Sequence, residues 1–152
     1  MRSKKKFINQ TSLRYLELLV VILIILILLG IIVSAYSGVQ SRNRNSIRHT
    51  SIDSLQKDLE QYYADNNYYP SLSNLNNAKW IQSNMKYLNP SILTDPSSNT
   101  ATFTISSAKN HYSYSVKSLT GDSCDNKQVK CSEYILTATL EGGGIYTASS
   151  LN

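Results

Sequence analysis

The sequence predicts an α+β protein in which one long N-terminal α-helix packs against a small antiparallel β-sheet. An apolar run over residues 16–36 holds a single charged side chain, Glu17, and is long enough to cross a membrane as a helix. A polar stretch follows with apolar residues at helical spacing. The last third alternates apolar and polar residues, as half-buried strands do. At 152 residues, the chain has room for one small domain besides the apolar run.

The predicted helix has a hydrophobic first half and an amphipathic second half. No turn signal follows Gly38, and the apolar residues recur every three to five positions, at Ile47, Ile52, Leu55, Leu59, Tyr62 and Tyr63. Because the first proline is Pro70, the helix can run from about Leu13 to about Ala64. We expect the cluster at residues 65–67, Asp-Asn-Asn, to end it.

The remaining residues predict a small head. A short helix is expected at residues 78–87, and strands are expected at residues 112–116, 134–140 and 145–148. Gly142, Gly143 and Gly144 predict the hairpin turn between the last two strands. The eleven tyrosines predict an aromatic core for this sheet, although exposed tyrosines that bind sugars or surfaces are an alternative.

Charge indicates the topology of the chain. Four of the fifteen basic residues, Arg2, Lys4, Lys5 and Lys6, lie within the first twelve residues, and eleven basic and ten acidic residues remain after them. A basic flank of this kind holds its end of the helix in the cytoplasm, and the head should face outward. A second basic group, Arg42, Arg44, Arg48 and Lys57, predicts a solvated or inter-subunit face, with anionic headgroups or a phosphate backbone as alternatives.

The two cysteines, Cys124 and Cys131, predict a disulfide in the outward-facing head. Two free thiols and a zinc site are the alternatives, but His49 and His111 are both distant in sequence. Asp122, Asp125 and Glu133 offer oxygen ligands that calcium prefers, but they lack the ordered alternation of a calcium loop. We therefore predict no metal and no cofactor. Since no catalytic set can be assembled either, we predict that the chain is not an enzyme.

The apolar run and its leader resemble the N-terminal segment of type IV pilins and pseudopilins. The resemblance rests on residues 16–22, LELLVVI, behind the short basic leader. It extends more loosely to residues 59–71, to residues 93–96 and to the paired cysteines. Prepilins of this family are cut just before the helix, and the acid is the fifth mature residue. Counting back from Glu17 implies cleavage between Ser12 and Leu13 and a methylated amino group on Leu13.

Three residues near this junction depart from the family pattern. Ser12 replaces the usual glycine and Leu13 the usual phenylalanine, which preserves a small residue before the cut and a large apolar one after it. Arg14 stands where a small polar residue is usual. The helix-breaking proline that the family has near Ser34 is absent.

The resemblance implies a structural subunit that polymerises through its N-terminal helix into a helical filament. In such a filament Glu17 attracts the free amino group of Leu13 on a neighbour, an attraction that is strong at low dielectric. The alternatives are that Glu17 stays hydrated at the membrane surface or pairs with Arg14 of its own helix. The partners implied are other copies of the chain, membrane lipid before assembly, a prepilin peptidase that also methylates, an assembly ATPase and a platform membrane protein.

This interpretation divides the chain into a leader (residues 1–12), an apolar assembly helix (residues 13–38), its amphipathic continuation (residues 39–66) and a head (residues 67–152). The precursor is expected in the cytoplasmic membrane as a single-pass protein and the product in a cell-surface filament. Two rival functions are a secretion pseudopilin and a monomeric membrane-tethered binding domain with an uncleaved anchor. DNA uptake by a competence-type pilin is disfavoured, because basic and acidic residues are nearly equal in number from Pro70 onward.

Overall fold

The computed structural model describes the backbone of residues 10–152 and the side chains of residues 14–33 and 36–152. Most of the predicted leader and the side chains of Ser12 and Leu13 lie outside the described residues. The chain divides into two compact units, residues 1–40 and residues 41–152.

A single helix, α1 (Gln10–Asn66), belongs to both units. It ends where Asn67 adopts a left-handed backbone conformation, with φ of 60°, and donates its N–H to the Tyr63 carbonyl at 2.7 Å. Asparagine tolerates this conformation better than most residues. Of the three residues 65–67 that were predicted to end the helix, Asn67 is therefore the one that does so. Two short helices follow, α2 (Leu72–Leu75) and α3 (Ala78–Asn84), and then a 3₁₀ turn at Pro90–Leu93.

The sheet has three antiparallel strands, β1 (Tyr112–Lys117), β2 (Glu133–Thr139) and β3 (Ile145–Ser149), in the order β1-β2-β3. Tyr114 lies opposite Leu136, which in turn lies opposite Ala148. The hairpin between β2 and β3 turns through Gly142, Gly143 and Gly144, whose φ angles are all positive, as the sequence predicted.

The core of the second unit forms where α1 lies against the inner face of the sheet. From α1 it takes Ile52, Leu55, Leu59 and Tyr62, and from the sheet Tyr112, Tyr114, Tyr134, Leu136 and Ala138. The predicted α+β arrangement and the aromatic core are therefore confirmed.

Two details of the secondary structure differ from the sequence prediction. The short helix α3 ends at Asn84, three residues before the predicted end at Tyr87. Strict alternation in β1 also predicts an outward-facing Ser113, yet this side chain is buried. Ser113 is covered because Thr104 forms a parallel bridge with it, and local alternation cannot reveal a bridge made by a separate segment.

Candidate functional site

The apolar segment of α1 exposes its hydrophobic side chains on every side. From Leu18 to Val33 each large apolar side chain is exposed, and the helix is long and apolar enough to cross a membrane. A helix that is hydrophobic all round is normally buried in protein or in lipid. Within its own unit this segment therefore has no apolar environment in which to bury its side chains. Other copies of the chain or a lipid bilayer can supply one.

Glu17 lies near the start of the exposed segment. Its side chain is exposed, as is that of Arg14 one turn earlier. Across the described residues the ion pairs all involve Arg44 or Arg48, and none joins Glu17 to Arg14. A carboxylate among apolar side chains is unfavourable in hydrocarbon unless a partner is supplied.

Four charged residues form a cluster between α1 and the sheet: Arg44, Arg48, Asp95 and Glu141, which we call the charged cluster. The Arg48 guanidinium donates to Asp95 from Nε at 2.7 Å and from Nη2 at 2.9 Å. Both of these side chains are 1 % exposed. Paired, bidentate hydrogen bonds of this kind are among the strongest that a protein makes.

Glu141 forms the solvent-facing side of the charged cluster. It accepts hydrogen bonds from Arg44 Nε, from Arg44 Nη2 at 2.6 Å and from Ser41 Oγ at 2.8 Å. The Asn45 side chain also bonds the Glu141 backbone in both directions, at 2.9 and 3.0 Å. The bonds from Arg44 and Ser41 hold the pKa of the Glu141 carboxyl well below its ordinary value. The β2–β3 hairpin is thereby fastened to α1.

The charged cluster corrects one sequence prediction. Arg44 and Arg48 were expected on a solvated or inter-subunit face, whereas Arg48 is fully buried and Arg44 is paired with Glu141. The acidic partners lie 47 and 97 residues further along the chain, beyond the range of helical periodicity. Of the three arginines in this group, Arg42 takes no part in the charged cluster, and its side chain is exposed.

A second polar centre surrounds Glu60 on α1. Its carboxylate accepts the hydroxyl of Tyr134 at 2.8 Å and that of Tyr69 at 2.9 Å. Burial raises the pKa of Tyr69 to about 12 and that of Tyr134 higher still, with the Glu60 carboxylate adding to both. Both phenols are thus neutral donors, and they connect the end of α1 to β2.

Cys124 and Cys131 form a disulfide, with their Cα atoms 5.2 Å apart. Side chains within the enclosed loop organise it further. Asp125 accepts the backbone N–H groups of Lys127 at 2.9 Å and Gln128 at 3.0 Å, which lowers the pKa of its carboxyl. Asn126 donates to the Tyr69 carbonyl at 2.7 Å and accepts the Cys131 N–H at 2.9 Å. These bonds fix the loop against the segment that follows α1.

The acids around the disulfide are engaged in local hydrogen bonds rather than in a shared site. Asp122 accepts the Thr120 hydroxyl at 2.8 Å, and Asp125 caps its own turn. Within residues 14–33 and 36–152, no three side chains of His, Cys, Asp or Glu are grouped so that they could hold a metal ion.

Comparison with known families identifies a matching family. The family model described as type II secretion system (T2SS), protein G matches residues 36–132. The match begins near the end of the apolar segment and runs past the disulfide loop into the residue before β2. The searches of curated proteins and of solved structures returned no match.

Proposed function

Since this chain belongs to the protein G family of the type II secretion system, we propose that it is a structural subunit that polymerises into a pilus-like filament through its N-terminal helix. The observation that carries the proposal is the exposed apolar surface of residues 18–33, in a chain whose residues 41–152 close a core of their own. Filament packing buries such a surface against identical helices, and a bilayer buries it before assembly.

The assembly route follows from the N-terminal residues. The precursor is anchored in the cytoplasmic membrane with its basic leader in the cytoplasm. A prepilin peptidase cuts between Ser12 and Leu13 and methylates Leu13. Glu17 of an incoming subunit then pairs with the amino group of Leu13 on a neighbour, which removes an unpaired charge from the apolar interior. An assembly ATPase and a platform membrane protein complete the machinery.

The family match favours a secretion pseudopilus over a surface pilus or adhesin. The match to the protein G model takes in most of the head, including the disulfide loop and the residues of α1 that pack against the sheet. Members of this family are structural parts of a secretion machine. We therefore assign the filament to protein export.

The start of the mature chain tests this function. Filaments sheared from cells should contain a chain whose first residue is N-methylated Leu13, which N-terminal sequencing and intact mass determine together. A chain in the sheared fraction that begins at Met1 or Arg2 would contradict the proposal. Retention of the leader in a protein found only in the membrane would instead support the tethered binding domain.

A further inference from the structure

A groove runs between α1 and the segment that follows α3. Its floor is apolar and consists of Tyr62, Met85 and Leu88, all of which are buried. One wall carries the carboxylates of Asp58 and Asp65, which lie seven residues apart and so on the same side of α1. Lys86 also lines the groove, so that its lining holds two acidic side chains and one basic one. The cavity has a volume of about 120 Å³. This is room for the end of one side chain, and we call it the acidic groove.

The half-buried carboxylate of Asp58 has no hydrogen-bond donor and no ion-pair partner among the described residues. Burial raises the pKa of its carboxyl, because a desolvated charge is unfavourable without a counter-charge. Glu60, two residues later, contrasts with it, since hydrogen bonds from Tyr69 and Tyr134 satisfy its carboxylate.

The groove has an aromatic rim. Tyr87 lines it and is 95 % exposed, which is unusual for a large aromatic side chain. An aromatic face attracts cations, and two carboxylates on the opposite wall provide bidentate acceptors. A guanidinium matches both features, because it is planar, stacks on aromatic rings and donates in a fixed fork.

We propose that the acidic groove receives the guanidinium of Arg42 from a second copy of this chain, so that each copy is joined to the next along the filament. This inference rests on the proposed function. Charge complementarity selects the occupant. Arg44 and Arg48 are held within the charged cluster, which leaves exposed Arg42 as the arginine of residues 41–152 that can reach a neighbour.

The positions of Arg42 and Asp58 on α1 suit an open assembly. They are 16 residues apart, which corresponds to about 24 Å along the helix axis and about 160° around it. The basic side chain and the acidic groove therefore occupy nearly opposite faces at different heights. Contact between two different faces is heterologous, and a heterologous contact that does not close produces a filament rather than a dimer.

A charge exchange in the full-length chain tests the contact. Arg42→Glu and Asp58→Arg should each reduce the yield of sheared filament at least fivefold, whereas the chain that carries both should recover at least half of the wild-type yield. Lys109→Glu is the matched control, because it reverses an exposed charge outside the groove, and its yield should be unchanged. Normal yield from both single variants would overturn the proposal, as would a double variant no better than the singles.

Cross-linking provides the second measurement. Sheared filaments of the Asn43→Cys, Gln61→Cys double variant keep both charges and place one cysteine beside Arg42 and the other in the groove lining. Treated with a short bismaleimide, they should give a ladder of dimers, trimers and longer chains. The native cysteines do not compete, since they are bonded to each other. The Asn43→Cys, Lys109→Cys variant should stay monomeric. Intact filaments that give no ladder, or equal ladders from both variants, would overturn this contact and leave the filament function standing. A wild-type chain that forms no filament would instead overturn the proposed function itself.

Discussion

At the scale of single residues, Arg48 is a buried charge that joins α1 to Asp95. It is 1 % exposed, donates twice to Asp95 and reaches Glu141 at 3.3 Å. The sequence marks Arg48 only as a basic residue among polar ones, because its partners are distant in the chain and helical periodicity carries no information about them. In the sequence, Asp95 is marked only as part of residues 93–96, which loosely resemble a pilin segment. Pairings of this kind become visible only when the tertiary structure is known.

Replacing Arg48 with methionine should lower the free energy of unfolding by about 3–5 kcal/mol, because the Asp95 carboxylate stays buried without its counter-charge. Urea unfolding of the detergent-solubilised chain, followed by the fluorescence of Trp80, the single tryptophan, measures this. Arg42→Met makes the same chemical change at an exposed position and should have little effect. A loss below about 1 kcal/mol for Arg48→Met would mean that the buried pair is not held as described.

At the scale of secondary structure elements, the sequence predicted the helices and strands better than the joints between them. The end of α1 and the β2–β3 hairpin were predictable, because asparagine and glycine are the residue types that adopt positive φ angles most readily. Asn67 and the three glycines all do so. The four-residue helix α2 and the 3₁₀ turn were missed, since so short a segment has no periodicity to detect. The attachment of the hairpin to α1 was missed as well, because Glu141 alone looks like an ordinary turn residue.

The attachment of the β2–β3 hairpin to α1 should weaken in acid. The pKa of Glu141 is depressed in the folded chain, so its contribution is fully present above its ordinary pKa of 4.5 and is lost as the pH falls through the folded value. Unfolding free energies measured from pH 6 to pH 2 should therefore fall more steeply for the wild type than for Glu141→Gln. The variant should also be less stable at neutral pH.

Glu133→Gln serves as the control for this pH profile. Glu133 is exposed and belongs to the same β2–β3 unit, so this variant should retain the slope of the wild type. If Glu141→Gln and Glu133→Gln have the same profile, the hairpin is not held to α1 by the Glu141 carboxylate.

At the scale of the whole molecule, the apolar segment and the rest of the chain bury their apolar side chains in different ways. Residues 41–152 close a core of their own around Leu55 of α1 and Tyr114 and Leu136 of the sheet. The apolar segment has no such core, and its pattern is readable from sequence because lipid and helix packing both select for continuous apolar residues. The sequence could not supply which side chains of two copies meet, since a continuously apolar segment marks no particular face of the helix for contact.

Glu17 should be required for assembly but not for membrane insertion. Alanine makes the segment more apolar, so Glu17→Ala should insert normally, while the amount of sheared filament should fall at least tenfold. Arg14→Ala should preserve assembly if the acid pairs with a neighbour rather than within its own helix. Comparing precursor, membrane and filament fractions for both variants measures the two steps separately. Normal filament yield from Glu17→Ala would contradict an assembly role for its carboxylate.

The hydrogen bond between Ser41 and Glu141 also has a consequence for synthesis, because it joins residues that are 100 positions apart. At about 5–20 residues per second, the ribosome needs about 5–20 s to travel from one to the other. Throughout that interval the Arg44 and Arg48 end of the nascent helix lacks its acidic partner in the hairpin. The head thus matures late, and a chaperone that shields this helical stretch would act in the interval before the hairpin emerges.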